Sequence, residues 1–219
     1  MPVPSASLED ARWIPAVFKD LTEADKRGIV ASYYTSTEYL DKNIGLVLDE
    51  LARLGLSDNT LVIFVGDNGY LLGDHGRFEK HVMWEPAVRV PLILRDPRFG
   101  HGKSTEAMVE LVDLLPSILE RLQVPVMPNI QGKSLVPLLQ GRTRKHRDVV
   151  FSEYLPDNMA MVRTADWKYI FMSGKGDLAL GYQTGNPPPG ITHMLYDLRR
   201  DPGENHNLAA KSRYSDLLK

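Results

Sequence analysis

The sequence contains no cysteine. Disulfides, thiolate zinc sites and thiol nucleophiles are therefore excluded, while the compartment stays open. It also lacks a strong charge excess: 26 Lys and Arg stand against 28 Asp and Glu, a net charge of -2. That gives no electrostatic footprint for nucleic acid or an anionic membrane. No apolar stretch reaches the roughly 18 residues that read as a membrane span. The first residues, MPVPSASLED, have no basic region followed by an apolar one, so they do not read as a signal peptide. Localisation is left undetermined. No internal repeat is visible. What 219 residues with 43% hydrophobic content do allow is a buried core, in one large domain or one domain with a small appendage.

Residues 1–20 carry three prolines and no period, and read as an irregular arm. Thr22 and Asp25 form a capping-box pattern, and apolar positions then recur in steps of three and four from Ile29 to Leu51. A long helix is expected, ended by Gly55. TLVIFV (60–65) is an unbroken β-branched run of the kind covered on both faces in a parallel sheet, and the helix before it suits an α/β crossover. VRVPLILR (88–95) is a second strand candidate with Pro91 at an edge or bulge, and AMVELV (107–112) a third. Asp113 is expected to cap a helix over 114–122, and GKSLVPLLQG (132–141) to make a short helical turn. From about residue 145 the pattern changes to short strands with turns: 148–154, 159–164, 167–172 and 193–198. The expected fold class is α/β, with residues 1–145 in a mixed or parallel sheet flanked by helices. Residues 146–219 are expected to form a small C-terminal antiparallel subdomain.

The chemistry is concentrated in VGDNGYLLGDHGRFEKH (65–81). In open α/β sheets ligands bind at the carboxyl ends of strands, which is where Asp67 and Asn68 fall. A carboxylate beside an amide oxygen suits a hard cation, Ca²⁺ or Mg²⁺, better than zinc. D-N-G is also an ordinary turn sequence. Lys80, on its own, is equally an ordinary solvated charge.

The longer stretch VGDNGYLLGDHGRFEKHVMWEPAVRVPLILR (65–95) resembles the sulfatase family of the alkaline-phosphatase superfamily. Later landmarks follow in the family's usual order: VELVDLLPSILERLQV, QGKSLVPLLQG, TADWKYIF and LYDLRRDPGENHNLA. The resemblance covers roughly residues 25–210 and implies an alkaline-phosphatase-like sheet. It also implies a metal, Ca²⁺ with Mg²⁺ as the lesser choice, held in part by Asp67 and Asn68. Lys80 takes a catalytic, substrate-binding role at the sulfate or leaving-group oxygen, and His81 a substrate-binding one. His75 is expected to shape the loop by hydrogen bonding, and Trp84 and Glu85 to support packing. Arg163 and Trp167 fit a contact between subdomains. Arg77 and Glu79 are open candidates for the substrate side, and the loop 174–192, with Tyr182, for setting specificity. His101, His146, His193 and His206 show no ligand spacing.

The family's nucleophile is a formylglycine made from C/S-x-P-x-R. The sequence has no cysteine, and no serine stands two places before any proline. The family's earlier Asp-Asp pair is not found either. Three functional readings follow. The first is a sulfuric-ester hydrolase acting on a sulfated small molecule or carbohydrate, present here without its nucleophile. The second is a phosphonate or phosphate diesterase of the same superfamily. The third is a non-catalytic fragment or pseudoenzyme. Oligomeric state is not readable.

Overall fold

The computed structural model describes residues 16–99, 102–155, 158–174 and 190–218. Within the arm expected to be irregular, Ala16–Lys19 make one helical turn, α1. Helix α2 spans Glu23–Arg53 and starts as its sequence requires. The Thr22 hydroxyl accepts from the Asp25 amide at 3.2 Å, and the Asp25 carboxylate accepts from the Thr22 amide at 2.9 Å. It ends in a Schellman turn: Gly55 has φ +69°, its amide donates to Ala52, and the Leu56 amide donates to Leu51.

Strand β1 (Val62–Val65) pairs antiparallel with β2 (Leu92–Arg95), Val62 opposite Arg95. The apolar run suits a mixed or parallel sheet, and its partner among the described residues is antiparallel. A β-branched run reports capacity for burial, not strand direction, and here the excursion 66–91 returns the chain alongside itself. The segment 88–95 is not one strand. Glu85–Val88 form a helical turn, α3, and pairing begins only after Pro91, which has no amide to donate.

AMVELV is not a strand either. It contributes one isolated bridge, Met108 to Arg147, and then a 3₁₀ turn over Leu111–Asp113. The Asp113 carboxylate folds back onto the Glu110 amide at 2.9 Å and starts a helix where a strand would have continued. Helix α4 (Leu114–Arg121) follows, and α5 (Val136–Leu139) is the short turn before Gly141.

The C-terminal strands match the pattern of alternating side chains. β3 (Val150–Tyr154), β4 (Met159–Arg163), β5 (Trp167–Met172) and β6 (Thr192–Asp197) form an antiparallel sheet in chain order. The inner face presents Met159, Met161, Ile170, Met172, Met194 and Tyr196. These pack on Leu71, Val82, Met83, Trp84 and Ala87, which come from the excursion between β1 and β2. Each large apolar side chain buried there contributes about 1.5–3 kcal/mol. The core therefore joins the sheet to the segment that carries Lys80. No described helix is long and apolar enough to cross a membrane.

Candidate functional site

The site is built from the end of β1. The Gly66 amide donates to the Pro91 carbonyl at 3.1 Å, which keeps the chain beside β2 for one more residue. Asp67 and Asn68 then turn away. The Asn68 amide donates to the Asp67 carboxylate at 2.8 Å. Gly69 is pressed against α3. Its amide donates to Ala87 at 2.8 Å, and a Cβ at this position would overlap the Pro86 carbonyl. Only glycine permits that approach.

Residues 70–79 make a closed excursion. The Leu71 amide donates to Glu79 at 2.8 Å, the Gly73 amide to Arg77 at 2.9 Å, and the Tyr70 hydroxyl to the Phe78 carbonyl at 2.7 Å. These bonds bring the chain back to its starting point. Lys80 consequently donates from Nζ to Oδ1 of Asn68 at 3.0 Å, across twelve residues of sequence. The Asn68 side-chain amide donates to the Gly69 carbonyl at 2.9 Å, which holds the oxygen toward the ammonium.

His81 is half-buried, its ring 5.4 Å from that of Tyr154 and its Nδ1 4.0 Å from the Glu79 carboxylate. Burial, and then the charge of Lys80, push the imidazole below its ordinary value. That favours the uncharged ring. Asp67, Asn68, Lys80 and His81 all line one broad, open cleft of about 1780 Å³. Its lining also includes Lys103, Glu110 and Arg147.

Neighbouring candidates have other places. His75 is buried with φ +51° and stacks on Trp84, ring centroids 4.1 Å apart. Arg77 lies over the same indole at 5.6 Å and pairs with Glu79. Both ions are buried in the loop's interior. His101, Tyr182 and residues 175–189 of the loop expected to set specificity lie outside the described residues.

Two charged clusters join residues far apart in the sequence. In one, Asp113 is fully buried and accepts from the Glu110 amide, the Lys133 amide at 2.7 Å, His146 at 3.1 Å and the Arg147 guanidinium. Burial alone would raise this carboxyl, but Arg147 and the two amides hold it down at about 2. In the other, Lys168 is fully buried between Glu85 and Glu204, 2.9 Å from an oxygen of each. The signal for the second was available: Lys168 shares the inward period of Ile170 and Met172.

Among the described residues no group of three or more His, Cys, Asp or Glu side chains is placed to hold a metal. Asp67 and Asn68 fit a hard cation in donor type, with one carboxylate and one amide oxygen on the cleft. They would be two of the six to eight oxygens that calcium takes.

Comparison with known proteins gives a consistent result. A family model described as "Sulfatase" matches residues 9–124, and one described as "N-sulphoglucosamine sulphohydrolase, C-terminal" matches residues 73–219. An N-acetylglucosamine-6-O-sulfatase of Bacteroides thetaiotaomicron is 32% identical over 198 residues, covering 85% of this chain and 33% of that protein. Human arylsulfatase K is 31% identical over 201 residues, covering 87% of this chain and 35% of its own length. The chain thus spans about a third of the length of these relatives.

Among solved structures, one in complex with its substrate D-glucosamine-2-N,6-O-disulfate matches with TM-score 0.70 and 30% identity, over 81% of this chain and 35% of that one. A phosphonate monoester hydrolase of Agrobacterium radiobacter matches with TM-score 0.74 and 27% identity, over 90% and 40%.

Proposed function

This chain belongs to the sulfatase family, and from that premise we propose that it forms the later part of a sulfuric-ester hydrolase, with Asp67, Asn68, Lys80 and His81 on the substrate side. One observation carries the reading: the Lys80 ammonium is held 3.0 Å from Asn68 Oδ1 in the cleft that Asp67 also lines.

Cleavage of a sulfate ester builds negative charge on the bridging oxygen. The Lys80 ammonium, on the cleft wall, would stabilise that charge. His81, its uncharged ring favoured, offers a hydrogen bond to the sulfate or the group that bears it. Asp67 and Asn68 would hold Ca²⁺, or Mg²⁺ less well, and a bound cation would supply neutralisation of the sulfate oxygens. A sulfated carbohydrate is the substrate class we favour, because a solved relative carries a sulfated glucosamine as its substrate.

No C/S-x-P-x-R motif occurs in the 219 residues, so the formylglycine nucleophile is expected from sequence beyond them. The chain by itself is proposed neither to turn over sulfate esters nor to bind Ca²⁺ tightly, and in that state it is a non-catalytic fragment. Turnover of an aryl sulfate by the pure chain, abolished in Lys80→Ala, would overturn this.

A second reading, hydrolysis of a phosphonate or phosphate diester, is favoured by the likeness to the Agrobacterium hydrolase. In a complete enzyme containing this chain, the sulfatase reading expects an aryl sulfate to be cleaved faster than an aryl phosphonate monoester. The reverse order would select the second.

A further inference from the structure

Four charges meet at the edge of the cleft: Glu85 and Arg163, half-buried on its lining, and Lys168 and Glu204, fully buried beneath them. Arg163 on β4 stands directly opposite Lys168 on β5 in the sheet register. Like charges so placed repel. Here both cations point to one carboxylate: Glu85 Oε1 lies 3.0 Å from Arg163 Nε and 2.9 Å from Lys168 Nζ. Glu204, fully buried in the turn after β6, faces Lys168 at 2.9 Å with one oxygen. Its other oxygen accepts from the Glu85 amide at 2.6 Å. Two cations meet two carboxylates, so the set is neutral as a whole and its members are costly to separate.

Burial would raise Glu85, but Lys168 and Arg163 hold it below the usual carboxylate range. Glu204 stays raised by its deeper burial.

Glu85 is the first residue of α3, and the next two residues of α3 hold Gly69: the Pro86 carbonyl lies against its Cα and Ala87 accepts its amide. Gly69 follows Asn68, and the chain before Glu85 leads back through Trp84 to Lys80. We propose that Lys168, Glu204 and Arg163 are positioning residues, which fix α3 on the C-terminal sheet and through it set Asn68 against Lys80. The role assigned to Asn68 and Lys80 rests on the sulfatase reading, but the mechanical link does not.

The test uses nitrogen-15-labelled 219-residue chain and reads the site by NMR. Glu204→Gln keeps an acceptor for the Glu85 amide but leaves Lys168 with one carboxylate fewer. It is expected to move the side-chain amide signals of Asn68 and to speed exchange of the Gly69 amide about ten-fold, with α2 signals unchanged. Lys168→Met combined with Glu204→Gln removes the ties of Lys168 to Glu85 and Glu204 and is expected to displace the Asn68 signals at least as far as Glu204→Gln alone. If Glu204→Gln does not fold, Arg163→Gln, at a half-buried position, should give the same displacement in smaller measure.

Asn68 and Gly69 signals that stay in place while the melting temperature falls would overturn the proposal, because the cluster would then only stabilise. So would a double variant whose Asn68 signals return to wild type, because α3 would then hold its place without Lys168 and Glu204. Turnover is not the readout. A complete enzyme that kept its activity as Lys80→Ala would refute the sulfatase reading and leave this result standing.

Discussion

At the scale of single residues, the role proposed for Lys80 can be measured apart from stability. It is exposed and its one described contact is to Asn68. Lys80→Ala should leave the melting temperature nearly unchanged, within about 0.5 kcal/mol. In a complete enzyme containing this chain it should lower kcat by roughly 10²–10³ through loss of a charge-stabilising donor. A large loss of stability with kcat preserved would reverse the assignment. His81 offers a separate measurement. Its folded value is depressed by burial and by Lys80, so the native state favours the neutral ring. The sign follows: its contribution is present above the unfolded value of about 6.5 and is lost as pH falls below it. An NMR titration should find its midpoint below the ordinary histidine value of about 6.5. An equal or higher midpoint would remove the argument for a neutral His81.

At the scale of elements, Asp113 decides how the middle of the chain is assembled. One carboxylate ties the start of α4, the turn at Lys133 and the entry to β3 through His146 and Arg147. It stands at the N-cap position expected from sequence, yet its side chain makes no cap bond to α4. Asp113→Asn removes the charge and leaves Arg147 half-paired, at a cost of about 3–5 kcal/mol by chemical denaturation. A cost under about 1 kcal/mol would show the junction to be dispensable. The pH dependence has a definite direction. A carboxyl held down at about 2 contributes its stability in full above its ordinary value and loses it as pH falls from there toward 2. On the order of 1–2 kcal/mol of acid sensitivity is expected from this group. It should be absent in Asp113→Asn.

At the scale of the whole molecule, the distribution of apolar surface is uneven. Helix α2 has 31 residues and none is buried. Tyr34, Tyr39, Leu40, Leu46, Val47 and Leu48 are all exposed, and at 100° per residue they fall on more than one face. A helix apolar on several sides belongs in an interior. Strands β1 and β2 pair only with each other among the described residues, and Ile93 is 62% exposed. Such surface and free strand edges drive association. The isolated chain should therefore gain mass with concentration in light scattering, and Leu46→Glu with Val47→Glu should reduce the gain. A constant monomer mass across the range would contradict this.

The sequence by itself determined the pieces whose causes are local: the capped start and glycine stop of α2, the four short strands after residue 145, the strand end at Asp67, and the family. Its alternation also placed Lys168 on an inward face. Tertiary structure decided what depends on partners distant in sequence. The direction of β2 beside β1 was set by the returning excursion, not by propensity. AMVELV became a turn because Asp113 bonded back to Glu110. Arg77 and Glu79, open candidates for the substrate side, are buried as a pair. Lys80 meets Asn68 only because residues 70–79 close on themselves and α3 is anchored 119 residues away at Glu204. Which counter-charge a buried charge meets so far along the chain has no local signature, because Coulomb attraction acts through space and the fold alone sets that distance.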